Sequence, residues 1–127
     1  MAFDVEALHH VTLPVRDLER SKRFYGGVLG LQEIERPPFG FPGAWFSLGG
    51  GQLHLVAGGG GTYREDARVD PRDSHFAIRV QSFDDAVELL RSTGAAINVD
   101  RHSVTGFPQL YLVDPDGHVI EVNAAHL

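Results

Sequence analysis

The strongest constraint on how this chain folds is that it repeats itself. Residues 10 to 31, HVTLPVRDLERSKRFYGGVLGL, align with residues 75 to 96, HFAIRVQSFDDAVELLRSTGAA, at an offset of 65 (75 − 10). His10 falls on His75, Leu13 on Ile78, Val15 on Val80 and Leu18 on Phe83. Both copies open with strand alternation, Val11, Leu13 and Val15 in one and Phe76, Ile78 and Val80 in the other. Both then change to helical spacing. Phe83, Ala86, Val87 and Leu90 form an i, i+3, i+4, i+7 stripe, and Leu18, Ser21, Tyr25 and Val28 form a weaker one. Asp17 and Ser82 are N-cap candidates, Ser82 with Asp85 resembles a capping box, and Gly30 and Gly94 are the expected helix stops.

Three strand-like runs follow each helix: LQEIER, GAWFSLG and GQLHLVA, then AINVDR, PQLYLVD and HVIEVNA. GGG (49–51) bridges the last two runs of the first half, and DPDG (114–117) those of the second. With Leu48 set opposite Val113, the second turn is two residues longer, an even difference that preserves the side-chain face. His54 then falls opposite Glu121. The expected fold is α+β, a single domain of two tandem βαβββ modules at 7–57 and 74–124. They are joined by a linker at 58–73 that opens with four glycines.

Each half therefore places one ligand-type side chain on its first strand and one on its last: His10 and His54, then His75 and Glu121. All four lie on the face opposite the aliphatic residues that cover the helices, so two facing sheets would aim them into a shared concave surface. Three imidazoles and a carboxylate suit Zn, Ni, Co, Mn or Fe as the divalent ion, rather than magnesium or calcium. The absence of cysteine excludes thiolate ligands, disulfides and a cysteine nucleophile. A net charge of −6 argues against nucleic-acid binding, and no run approaches the ~20 apolar residues of a membrane span. No secretory signal is visible at the start, so the expectation is a soluble cytoplasmic protein. Phe39, Phe41, Trp45 and Phe107 are candidates for an apolar pocket wall with Thr12, and Arg36 and Arg101 stand near strand ends. His9, His102, His118 and His126 lack ligand-type repeat partners and read as surface or loop residues.

The stretches HHVTLPVRDLERSKRFYGGVLGL, FPGAWFSLGGGQLHLV, SHFAIRV and LYLVDPDGHVIEVN resemble the vicinal oxygen chelate superfamily, which includes glyoxalase I, bleomycin-resistance proteins and extradiol dioxygenases. The resemblance implies metal positions on the first and last strands of each unit, here His10, His54, His75 and Glu121. It also implies a homodimer and a small-molecule substrate, and leaves open whether one chain or two supply each site. The implied activity is that of a glyoxalase-like lyase or isomerase acting on a small oxygenated metabolite, with Glu121 as ligand and catalytic base. Bacterial glyoxalase I generally carries glutamate where His54 stands, which weakens a glutathione-dependent assignment. An Fe(II) extradiol dioxygenase would use His10, His75 and Glu121, with His54 filling a position that chemistry leaves open. Thr12 matches a threonine of fosfomycin-resistance transferases, whose basic C-terminal extension has no counterpart after Glu121. A metal-free bleomycin-type binding protein is the remaining alternative, against which the complete ligand set argues.

Overall fold

The computed structural model describes residues 2–66 and 68–127. The first half runs β1 (His10–Val15), α1 (Leu18–Lys22), a π-helical turn (Arg23–Val28), β2 (Glu33–Ile34), β3 (Gly43–Leu48) and β4 (Gly51–Ala57). The second runs β5 (His75–Val80), α2 (Phe83–Ser92), β6 (Asn98–Asp100), β7 (Gln109–Val113) and β8 (Val119–Ala124). Two four-stranded sheets result, ordered β1-β4-β3-β2 and β5-β8-β7-β6. In each, the first strand pairs parallel with the last, and the remaining pairs are antiparallel. The tandem βαβββ architecture expected from the repeat is the observed one.

The local signals act as their chemistry dictates. Asp17 accepts a hydrogen bond from the Arg20 amide at 3.0 Å, and Ser82 accepts one from the Asp85 amide at 3.2 Å, each satisfying a free N–H of a first turn. Gly30 and Gly94 end the helical segments with φ of 69° and 83°. The first helix departs from the regular pattern. After Lys22 it widens, and the Leu29 amide donates to the Phe24 carbonyl five residues back at 3.0 Å. Gly26 and Gly27 lie in this turn, where weak helix propensity makes the change of pitch inexpensive.

Two expectations need correction. LQEIER and AINVDR yield only the short outer strands Glu33–Ile34 and Asn98–Asp100. Pro37 and Pro38 cannot donate to a ladder, and the Asp100 carboxylate turns the chain by accepting from the His102 amide at 3.1 Å. The turn arithmetic is also off by one. Leu48 pairs with Gly51 across two residues, whereas Val113 pairs with Val119 across five, so the second turn is three residues longer. The face is kept all the same, because pairing with the first strand sets it. His54 lies opposite Thr12 and Glu121 opposite Ala77, and Thr12 and Ala77 are themselves repeat partners (12 + 65 = 77).

One apolar core serves both halves. Val15, Phe46, Leu53 and Leu55 of the first sheet, Leu110, Leu112, Ile120 and Val122 of the second, and Phe83, Val87 and Leu90 of α2 are all buried in it. The β7–β8 turn is tied to the first helical segment through two buried aspartates. Asp114 accepts from the buried Tyr25 hydroxyl at 2.5 Å and from the amides of Asp116 and His118 at 2.9 and 2.8 Å. Burial and then this carboxylate raise the Tyr25 pKa, keeping its hydroxyl a donor. The fully buried Asp116 carboxylate accepts from Ser21 at 3.3 Å and faces the guanidinium groups of Arg16 and Arg20 at 3.4 and 3.3 Å. Asp116→Ala leaves those donors unpaired at the seam, and urea denaturation should show a loss of about 2 kcal/mol, discounted for the part-exposed arginines.

Candidate functional site

Alternation along β4 buries Leu53 and Leu55 in the core and turns His54 toward the open face. Its imidazole is sandwiched. The Trp45 indole lies parallel to it at 3.9 Å with a 4° interplanar angle, and His10 stacks on it at 4.2 Å and 19°. Gln52, two residues back on the same face, accepts from His54 Nε2 at 2.8 Å. Burial, and next the nearby His10, His9 and Arg36, lower the His54 pKa and favour the neutral ring that a metal ligand or a base must be. The stack continues outward through Phe39, 6.1 Å from Trp45, and Phe41, 5.3 Å from Phe39. The Arg36 guanidinium lies 4.7 and 5.0 Å over these two rings and donates to the Phe41 carbonyl at 2.9 Å. The aromatic residues singled out in the first half thus form a wall beside His54.

On the second sheet, His75 Nε2 stands 3.2 Å from Glu121 Oε1, while His75 Nδ1 donates to the Asp73 carbonyl at 2.8 Å. A carbonyl and a carboxylate both only accept, so satisfying both contacts requires a proton or a metal cation at Nε2. The arrangement fits a metal site, since ligating histidines typically give their other N–H to a carbonyl or carboxylate. Glu121 is held by neutral donors. Tyr111 donates to Oε1 at 3.1 Å, and Gln109 and Asn123 donate to Oε2 at 3.0 and 2.6 Å. Gln109 in turn accepts from Ser103 at 2.5 Å, and Asn123 from Arg79 at 2.6 Å, which fixes both amides. Burial pushes the Glu121 pKa up, but bonds from Asn123, Gln109, Tyr111 and His75 outweigh it and leave the carboxyl below the usual glutamate value. Burial and the adjacent carboxylate push the Tyr111 hydroxyl up to about 12.

The four ligand candidates thus stand in one chain as two pairs, His10 with His54 and His75 with Glu121. Among the described residues, no group of three or more His, Asp or Glu side chains is placed to hold a metal. His10 and His75 both open on a cleft of about 1170 Å³ that runs between β1 and β5, whereas His54 and Glu121 are not among its lining residues. Thr12 lies on the same open face, beside His54. Phe107 lies under Arg79, 4.9 Å from its guanidinium. Arg101 does not join this face: it pairs with Asp84 and lies 5.4 Å over Phe83, because α2 offers it a carboxylate. His118 is more than a loop residue. Its Nε2 donates to the Pro14 carbonyl at 2.8 Å, joining the second half to β1. His9 Nδ1 is 2.8 Å from His10 Nδ1, and His102 and His126 are exposed.

Sequence reasoning missed Gln52, Arg79, Gln109, Tyr111 and Asn123. Their signal is weak but real: Gln52 and Asn123 are two residues from a ligand candidate, Arg79 is four from His75, and Tyr111 pairs across the ladder with Glu121.

Paired βαβββ units, each presenting a first-strand and a last-strand ligand candidate on its open face, define a glyoxalase-type module. The chain belongs to the Glyoxalase/Bleomycin resistance protein/Dioxygenase superfamily, whose family model matches residues 7–122. It is 30% identical to the fosfomycin resistance protein FosX of Listeria monocytogenes, across 97% of this chain and 92% of that protein. It is also 30% identical to Glyoxylase I 4 of Arabidopsis thaliana, across 91% of this chain and 69% of that one. Among solved structures, a glutamate-to-glutamine mutant of the Listeria monocytogenes FosX, complexed with Mn(II) and 1S,2S-dihydroxypropylphosphonic acid, superposes with a TM-score of 0.74. Identity there is 24%, with 97% of this chain and 95% of that chain covered.

The donor set of Glu121 carries a pH signature. A carboxyl with a lowered folded pKa adds stability that is complete above the unfolded glutamate value and is lost as pH falls through the folded one. In metal-stripped protein, Asn123→Ala removes the donor at 2.6 Å. A ¹³C carboxyl titration should then show a higher Glu121 pKa, and acid destabilisation should begin at a higher pH.

Proposed function

We propose that the protein is a homodimeric, divalent-metal-dependent enzyme of the glyoxalase-like lyase or isomerase type, acting on a small oxygenated metabolite. Each site would combine His10 and His54 of one chain with the partner's His75 and Glu121. The observation that carries this reading is the His75–Glu121 pair, in which Nδ1 is committed to the Asp73 carbonyl and Nε2 faces a carboxylate held by neutral donors. The division of the ligand candidates into two pairs, with no group of three or more in one chain among the described residues, supports a shared site, and β1 and β5 are both sheet edges. A bound divalent ion would supply Lewis-acid polarisation of a substrate oxygen.

The chain's own groups divide the remaining work. Glu121, with donors on both oxygens, would serve as a fixed anionic ligand. The Trp45 face and the exposed Phe39–Phe41 pair exclude water on one side. His54 supports a second reading. Its parallel stacking with His10 suits a neutral base beside a three-ligand set of His10 and the partner's His75 and Glu121. His54→Gln separates the two readings, since Mn(II) affinity falls steeply if His54 is a ligand and persists if it is a base.

Complementation tests the shared site. A His10→Ala/His54→Ala chain and a His75→Ala/Glu121→Ala chain should each bind no Mn(II). Co-refolded as an equimolar mixture, they should recover about a quarter of the wild-type capacity, because half the dimers are mixed and each holds one intact site. Recovery of none would place the site within one chain. Trp45, the only tryptophan, stacks on His54 and gives a fluorescence readout of loading. Turnover of a hemithioacetal and of fosfomycin, each with and without added metal and with oxygen uptake monitored, assigns the reaction class. Oxygen uptake on catechols with Fe(II) would instead favour the dioxygenase.

A further inference from the structure

The open face of the second sheet carries a cation for which the proposed metal site has no use. Arg79 follows His75 by four residues on β5, hence on the same face, and pairs with Asn123 of β8. Its side chain is fixed twice. Nε donates to Asn123 Oδ1 at 2.6 Å, and the guanidinium lies 4.9 Å over the Phe107 ring. Its two terminal nitrogens make no hydrogen bond or ion pair among the described residues. The other guanidinium groups are differently placed. Arg16, Arg20, Arg64, Arg72 and Arg101 face carboxylates, and Arg36 is bonded to the Phe41 carbonyl. Arg23 and Arg91 belong to the helical segments, and Arg68 lies in the linker between the halves. In a chain of net charge −6, a fixed and open guanidinium fork on the ligand-bearing face calls for an anion.

Its position relative to Glu121 is equally specific. The Asn123 amide accepts from Arg79 with its oxygen and donates to Glu121 with its nitrogen, so one side chain sets both groups. Ala77, which pairs with Glu121, precedes Arg79 by two strand residues, a separation of ~7 Å. Arg79 lines the same cleft as His10 and His75.

We propose that Arg79 anchors the anionic end of the substrate, a carboxylate or a phosphonate bound by the two terminal amino groups of the guanidinium. The substrate class is then a small acid whose anion lies a few bonds from the oxygens that meet the metal. This second half rests on the metal-site reading above; the anion site itself does not.

The test is titration of the full chain with methylphosphonate and, separately, with acetate, in metal-stripped and Zn(II)-loaded forms, following the arginine Nε–Hε resonances by NMR. The Arg79 resonance should shift with at least one anion in both forms, and the tighter of the two identifies the anion class. Arg79→Gln should weaken that binding at least tenfold in the metal-stripped form, where the result does not depend on how Asn123 holds Glu121. Arg79→Lys should retain part of it, and Arg91→Gln on α2 should retain it all. Unchanged anion affinity in Arg79→Gln, or shifts confined to other arginines, would overturn the assignment. Failure of the wild-type chain to bind Zn(II) would instead sink the metal-site reading, with the metal-stripped titration still deciding the role of Arg79.

Discussion

Everything at the site depends on the parallel pairing of the first strand with the last in each βαβββ unit. That ladder sets Thr12 beside His54 and Ala77 beside Glu121, and so brings the strand of each first histidine alongside the second ligand candidate. The same ladder sends Leu53, Leu55, Ile120 and Val122 into the core. A slip of one residue in β4 or β8 would turn those aliphatic side chains outward and bury His54 and Glu121 among apolar neighbours. The cost of stranding an imidazole and a carboxylate there is what enforces the register.

Two kinds of buried carboxylate separate structure from chemistry in this protein. Asp116 faces two guanidinium groups, so its charge is offset within the chain and it serves to hold the β7–β8 turn against the first helical segment. Glu121 is bound by two amides and a phenol, neutral groups that solvate its charge without an arginine or lysine to cancel it. A carboxylate held in this way remains able to attract a cation. On the first sheet the stack of Trp45, His54 and His10 buries His54 and disfavours its protonation.

Much of this was legible because the repeat and the strand period are both properties of the linear chain. The caps at Asp17 and Ser82 and the stops at Gly30 and Gly94 could be read directly, since each rests on contacts within a few residues. What could not be read depends on distant partners. The widened turn at Arg23–Val28 contains Tyr25, whose hydroxyl meets Asp114, 89 residues further on. Arg101 leaves the site because Asp84 is nearer in space than any strand end suggests. His118 reads as a loop residue until β1 is seen to supply the Pro14 carbonyl.

By itself, the sequence determined which residues face which way. Alternation in the strands and the offset of 65 place His10, His54, His75 and Glu121 on the faces turned away from the core, and a strand's period leaves no other choice once its apolar residues are buried. The tertiary structure decided who meets whom. Packing both sheets on one core and tying the β7–β8 turn to the first helix leaves the ligand candidates of one chain as two pairs. It also decided that Glu121 is held by Gln109, Tyr111 and Asn123, and that Arg79 is fixed with its fork open. Hydrogen-bond partners across a ladder follow from register and side-chain reach, and neither is written in the spacing of residues along the chain.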